Sequence, residues 1–234
     1  MDQQFRTLTG RSRAAIVALV VVIASDLFAA WVDLREIQLM NDVIAGDGAE
    51  LSELEASDDR QAVAGLILVV TLVAATVVFI MWFHRAYKNL SALGATGLRY
   101  GTGWAIGAWF VPFLNLWRPK QIANDIWRAS DRGARPDQGI DWREKTVPGF
   151  LTAWWAVWVV SIYAWNFSTR FYFSGDEAED IRNAGYADLV SLGLDIAAAV
   201  LAIYVVVQVT RRQEDRARSV AEVTQGAVDP SSAV

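Results

Sequence analysis

The chain has 234 residues, no cysteine and one histidine. Disulfides, thiolate metal sites, cysteine nucleophiles and ligation of zinc or haem by paired imidazoles of one chain are therefore excluded. Its net charge of −5 and pI near 5.0 do not point to nucleic acid as a partner. Hydrophobic residues make up 54% of the chain, gathered into long runs with a mean hydropathy of +0.25, a membrane signature.

A bilayer core needs roughly 20 apolar residues of helix, and four stretches approach that: Ala14–Val32, Val63–Phe83, Gly149–Phe167 and Leu189–Val209. The expected fold is an all-α membrane protein with four transmembrane helices. Residues 1–13 form the N-terminal segment, and Arg6, Arg11 and Arg13 precede the first run. That run is longer than a signal-peptide core, holds Asp26 and has no clear small-x-small cleavage site, so it reads as a retained helix.

The segment 33–62 carries nine carboxylates. Leu34, Ile37, Met40 or Asn41, and Ile44 follow an imperfect helical period that continues the first helix, and Gly46-Asp47-Gly48 breaks it. Ser52 with Glu55, and Ser57 before Asp58-Asp59, are N-cap signals for a short helix and for the run into the second span. The ligand spacing of an EF-hand calcium loop is missing, so an acidic helical hairpin is the expectation. At the end of the second span His84, Arg85 and Lys88 cluster, and with Arg118 and Lys120 they are candidates for contact with anionic lipid headgroups or a partner.

The segment 84–148 is basic. Within it, Trp104–Trp117 would reach only about 21 Å as a helix, and Pro112 and Asn115 interrupt it. An interfacial or re-entrant Trp-Pro segment is expected, followed by an amphipathic surface helix. Pro119 suits the first turn of that helix. Gln121, Asp125, Arg128 and Arg132 fall on one face and Ile122, Ile126 and Ala129 on another, so the helix lies along the membrane surface or against the bundle.

Several runs here are distinctive: Trp82-Phe-His-Arg-Ala-Tyr-Lys-Asn-Leu, Ala92-Leu-Gly, Gly103-Trp-Ala-Ile-Gly-Ala-Trp-Phe-Val-Pro-Phe-Leu-Asn-Leu-Trp-Arg-Pro and Ile126-Trp-Arg-Ala-Ser-Asp. The chain resembles the bacterial membrane family catalogued as domain of unknown function 4328, densely over residues 79–131 and more loosely through the last two spans. Trp109, Phe110, Pro112, Asn115, Arg118 and Pro119 carry the motif. The resemblance implies a bacterial multi-span protein and brings no catalytic or ligand residue with it. The first span and its acidic loop lie outside the dense match.

The acidic segment 168–188 contains Ser174 and Glu177 at capping-box spacing, predicting a short surface helix that ends near Gly185. The tail, 210–234, is expected to be disordered from about Ser219. Lys and Arg number three before the first span, ten between the second and third, four after the last, and two in each remaining loop. That bias places both termini and the central segment in the cytoplasm of a multi-pass cell (plasma) membrane protein.

Ionisable groups inside a span are expensive and mark functional sites. Asp26 and Asp195 lie at a shared depth of roughly 8–9 Å below the outer surface. Asp33 and Asp188, each seven residues away, extend them into two acidic ladders. With Asn166 and Arg170 as neutralising partners, the candidate is an intramembrane polar cluster: a cation- or proton-binding vestibule, or a clasp that fixes packing. Ala14–Ala24 is only Ala, Val, Ile and Leu, and the last span is similar until Gln208, so no polar path to the inner surface is expected. Gly193, Ala197, Ala198 and Ala199 would allow close helix contacts within the bundle or between copies.

No nucleophile elbow, His-Glu-x-x-His motif or phosphate loop occurs, and neither a metal nor a cofactor is expected. The composition and motifs therefore predict a non-enzymatic interaction, scaffold or regulatory protein, with a small transport or channel subunit as the alternative. The lipid bilayer, anionic headgroups, and a second copy or another membrane protein are the expected partners.

Overall fold

The computed structural model describes residues 4–134, 141–172 and 177–228. Its helices are α1 (Thr9–Ala45), α2 (Leu51–Ala92), α3 (Trp104–Gly107), α4 (Arg118–Ala129), α5 (Gly149–Tyr172) and α6 (Ala178–Val228). Single 3-10 turns occur at Leu114–Leu116 and Trp142–Glu144, and no strand occurs among the described residues. Helices α1, α2, α5 and α6 are long and apolar enough to cross a membrane. Their apolar middles leave large side chains open, as in Leu66 (65% exposed) and Val190 (64%). Such exposure suits a lipid solvent, which gains nothing from hiding a leucine.

Each long helix outruns its apolar run. Helix α1 continues into the acidic segment and stops before Gly46 and Gly48, both at positive φ, which glycine adopts without steric cost. Helix α2 begins at Leu51 as one continuous element, so the separate short helix expected before the second span does not form. The cap also differs from the expected Ser52/Glu55 pair. The Glu50 N–H donates to Glu53 Oε2 at 3.2 Å, a return contact set two residues earlier in the chain.

Helix α6 runs straight through Gly185 and past Ser219 to Val228, where a helix end and a disordered tail were expected. Gly185 is buried with Ile37 against it: a Cβ built there would lie 2.9 Å from Ile37 Cγ1. Here glycine admits a neighbouring helix instead of ending its own. Ser174, half of the expected capping box, lies outside the described residues.

The chain forms two compact units. One comprises residues 17–76 and 153–202. Its small-residue core joins Ala29 and Val32 of α1, Ala64 of α2 and Leu192 of α6. Of the small residues on α6, Ala198 and Ala199 are buried, whereas Gly193 and Ala197 are exposed.

The other unit comprises residues 1–16, 77–152 and 203–234, and its core includes buried aromatic rings and two buried amides, Asn89 and Gln213. Trp82, Phe83, Tyr87 and Leu90 of α2 are buried, as are Ile122 and Ile126 of α4. Trp82 Nε1 donates to Thr210 Oγ1 at 3.1 Å, and Gln213 Nε2 to the Ala86 carbonyl at 2.8 Å, stitching α2 to α6. Glu214 of α6 accepts the Leu8 N–H at 2.8 Å and the Thr7 hydroxyl at 2.7 Å, satisfying donors at the start of α1. Helix α2 ends in a Schellman turn: Gly94 has φ +84°, its N–H meets the Ser91 carbonyl, and the Ala95 N–H meets that of Leu90. That turn accounts for the Ala92-Leu93-Gly94 run.

Candidate functional site

In the first unit the acids of α1 and α6 act on one another, and Glu36, which the sequence did not single out, is among them. Asp26, Asp33 and Glu36 of α1 are 3%, 1% and 6% exposed. On α6, Asp188 and Asp195 are half-buried. Asp188 is the centre of the group, acting electrostatically on each of the other four, and Asp195 also acts on Asp26.

Neutral donors serve these carboxyls. Gln61 Nε2 of α2 donates to Asp33 Oδ1 at 3.0 Å and to Glu36 Oε2 at 2.7 Å. The Ser168 hydroxyl of α5 donates to Asp188 Oδ1 at 2.9 Å, and Ser161, one heptad earlier, neighbours Asp195. Oδ2 of Asp26, Oδ2 of Asp33 and Oγ of Ser191 are buried without a hydrogen bond. Ser191 lies between Asp188 and Asp195 on one face of α6.

Of the four residues expected in this cluster, Asp26 and Asp195 come together. Asn166 and Arg170 do not join them: both are exposed, and the Asn166 amide donates to the Ile162 carbonyl of its own helix at 2.7 Å. No lysine or arginine lies within 4 Å of these five carboxyls among the described residues, although Arg60 acts on Glu36 from further away. Beside the cluster, Trp31, Arg35, Asp42, Glu53 and Arg60 help line a groove of about 400 Å³ between α1 and α2.

In the second unit the basic candidates divide into two groups. His84, Arg85 and Lys88 gather with Arg11, and Arg6 also acts on Arg85. Arg118 and Lys120 have other neighbours. The Arg118 guanidinium lies 3.9 Å from the Trp104 ring centroid and 5.1 Å from that of Tyr100, a cation–π sandwich. Lys120 Nζ donates to Asn124 Oδ1 at 2.6 Å. Burial, with Arg128 alongside, lowers the Lys120 amine to about 8.

Helix α4 packs into its unit, and its polar face is not wholly solvated. Asp125 is 0% exposed, with Arg99 Nε at 3.8 Å. Burial raises its carboxyl above the usual range, against the pull of Arg99, Arg128 and Arg143. Arg212 joins the end of α4 to α6: it pairs with Asp131, donates to the Trp127 carbonyl at 3.1 Å and stacks 4.3 Å from the Trp127 ring. Asp125, Gln61, Ser161 and Ser168 were missed as site residues. The last two repeat the seven-residue spacing of the acids, a signal present in the sequence.

The Trp-Pro motif builds a compact connector between α2 and α4. Trp109 packs edge-on against Phe79 (5.7 Å) and Phe83 (5.5 Å). Phe110 and Phe113 are 67% and 75% exposed, and Phe113 holds φ +63°. Pro112 is exposed, Asn115 is half-buried, and its N–H donates to the Val111 carbonyl at 3.1 Å. Pro119 is buried in the first turn of α4, where its missing N–H costs nothing.

No curated protein and no solved structure matches the chain. A family model does match residues 47–211, taking in the Trp-Pro connector, three of the four long apolar runs and the Gly46–Glu50 turn from Asp47 onward, but not the first run. The chain thus belongs to the family described as Domain of unknown function (DUF4328).

Proposed function

We propose that this protein is a non-enzymatic interaction or regulatory component of the cell membrane, with the carboxyl cluster as its responsive element. The observation that carries this reading is the gathering of five carboxyls on α1 and α6 with amide and hydroxyl donors in place of basic partners. Removing carboxylates from water without a countercharge is expensive, and hydrophobic residues of similar volume would pack more cheaply. A cluster retained at that cost suits a role beyond holding helices together. Protons or cations arriving from the outer side relieve the mutual repulsion and so alter how α1 and α6 pack.

The transport alternative rests on the same cluster and requires a polar path away from it. Ala14–Ala24 offers no side-chain donor or acceptor, and Ser25 Oγ is bonded to the Val21 carbonyl at 2.9 Å. The interaction reading therefore leads. The exposed Phe110, Phe113 and Trp117 favour an interfacial seat for the connector, on the cytoplasmic side by the positive-inside bias.

The experiment is the double variant Asp26→Asn with Asp195→Asn, compared with wild type in proteoliposomes. The proposal expects an altered oligomeric state or thermal stability with no ion flux in either protein. Flux in the wild type that the variant loses would establish transport instead. If expression, oligomeric state, stability and flux are all unchanged, the cluster has no functional role. Orientation is tested separately by reporters after Gly48 and after Gly133, expected on opposite sides of the membrane.

A further inference from the structure

We propose that Arg6, Arg11, His84, Arg85 and Lys88 form a binding site for the phosphate of an anionic lipid headgroup. The residues arrive from two directions. His84, Arg85 and Lys88 occupy one turn at the end of the apolar run of α2. Arg11 comes from the first turn of α1 and acts on both His84 and Arg85. Arg6 is delivered by its main chain: its N–H donates to Asn89 Oδ1 at 3.3 Å, and Asn89 Nδ2 donates to its carbonyl at 2.8 Å. Asn89 is itself held by Gln213 at 3.3 Å. The fold thus fixes basic groups next to one another by buried amide contacts.

These groups repel, and no acid among the described residues pairs with them. None of the five makes an ion pair within 4 Å among the described residues. Glu214 reaches the same stretch of chain, but its Oε1 receives the Leu8 N–H and the Thr7 hydroxyl. Arg85 Nε is buried and makes no hydrogen bond, leaving a donor suited to an oxyanion. An anion completes what the protein leaves open.

A lipid fits this place better than a free phosphate ion. Val77, Met81 and Arg85 follow one another at four-residue spacing, so they share a face of α2. Val77 is 54% and Met81 53% exposed. An acyl chain lying along Val77 and Met81 carries its headgroup to Arg85, at the level where basic residues collect at the membrane surface.

The sole histidine makes the site directly readable. Protein labelled at histidine nitrogen gives the His84 signal alone, in nanodiscs of phosphatidylcholine, of phosphatidylcholine with phosphatidylglycerol, or of phosphatidylcholine with added inorganic phosphate. The His84 resonances are expected to shift with phosphatidylglycerol only. Native mass spectrometry should show phosphatidylglycerol retained by the wild type and held less well by Arg85→Lys, which keeps the charge but loses the Nε donor. Retention should weaken roughly tenfold or more in Arg11→Gln with Lys88→Gln, which removes two cations. An equal response to inorganic phosphate would overturn the lipid assignment, and no response to either would overturn the site. The wild-type lipid comparison decides the matter even if the double variant fails to fold.

Discussion

Replacing Gly185 by alanine sets two effects of opposite sign against each other. Intrinsic helix propensity favours alanine by about 1 kcal/mol. The added Cβ would stand 2.9 Å from Ile37 Cγ1, 3.2 Å from Cδ1 and 4.0 Å from the Asp33 carbonyl oxygen. Cγ1 is not a free tip that can swing aside, because Ile37 is only 4% exposed. Overpacking of this kind costs about 1–3 kcal/mol, so the balance is a net loss of about 0–2 kcal/mol. For a chain of this size a loss of 1 kcal/mol lowers Tm by about 2–4 °C.

The assay is thermal unfolding in nanodiscs at one fixed scan rate, since membrane proteins often unfold irreversibly. Ile37→Ala provides the cross-check. Alone it should destabilise by about 2–5 kcal/mol; in the Gly185→Ala background it should cost about 1–2 kcal/mol less, because it vacates the space the new methyl needs. A Gly185→Ala protein that melts above wild type, with additive behaviour in the double variant, would refute the packing argument. The outcome matters for the carboxyl cluster, since the contact that brings Gly185 against Ile37 also brings Asp188 near Asp33.

Gln61→Leu removes two donors from buried carboxyl oxygens and should cost about 2–3 kcal/mol, read as a lower Tm. Asp125→Asn should raise stability at neutral pH and flatten its pH dependence. The folded-state pKa lies above the unfolded one, so the unfolded state sheds its proton first, and the native protein loses stability as pH rises from the unfolded value of about 3.9 through the folded value. Unfolding profiles of the two proteins that run parallel with pH would contradict this. Arg212→Ala loses the Asp131 pair, the Trp127 carbonyl bond and the ring contact together, an expected cost of about 2–3 kcal/mol that Arg212→Lys restores only in part. Lys120, lowered to about 8, should acylate faster near neutral pH than an ordinary lysine amine, measured by mass spectrometry after brief labelling against a reference peptide, because more of its amine is uncharged.

Which features were legible in the sequence follows from where their physics resides. The long helices announce themselves because bilayer-length apolar runs leave little alternative to a helix, and the Trp-Pro connector because Pro112 and Pro119 constrain it locally. Gly185 misled for a physical reason. A glycine near a helix end normally signals termination, and only the approach of Ile37 from a helix almost 150 positions away in the chain reveals its packing role. Asp125 misled similarly: its spacing from Gln121 and Arg128 marks a polar face, but both faces of α4 are packed and Arg99 provides its counterion.

Asn166 and Arg170 show where helical phase overrides proximity. They lie at the right end of α5, one turn apart, yet on the wrong side. The side facing the acids is marked by Ser161 and Ser168, seven residues apart. Asp26 with Asp33 and Asp188 with Asp195 have the same spacing, two turns along one helical face. Three helices therefore present heptad-spaced polar pairs to one cluster, and Gln61 supplies the fourth helix's contribution. Charge drew attention to Arg170 because a carboxyl deep in a membrane calls for a cation. The protein instead sets amide and hydroxyl groups against Asp33, Glu36 and Asp188, which hydrogen-bond them without supplying a countercharge, and the proposed response to protons or cations rests on that choice.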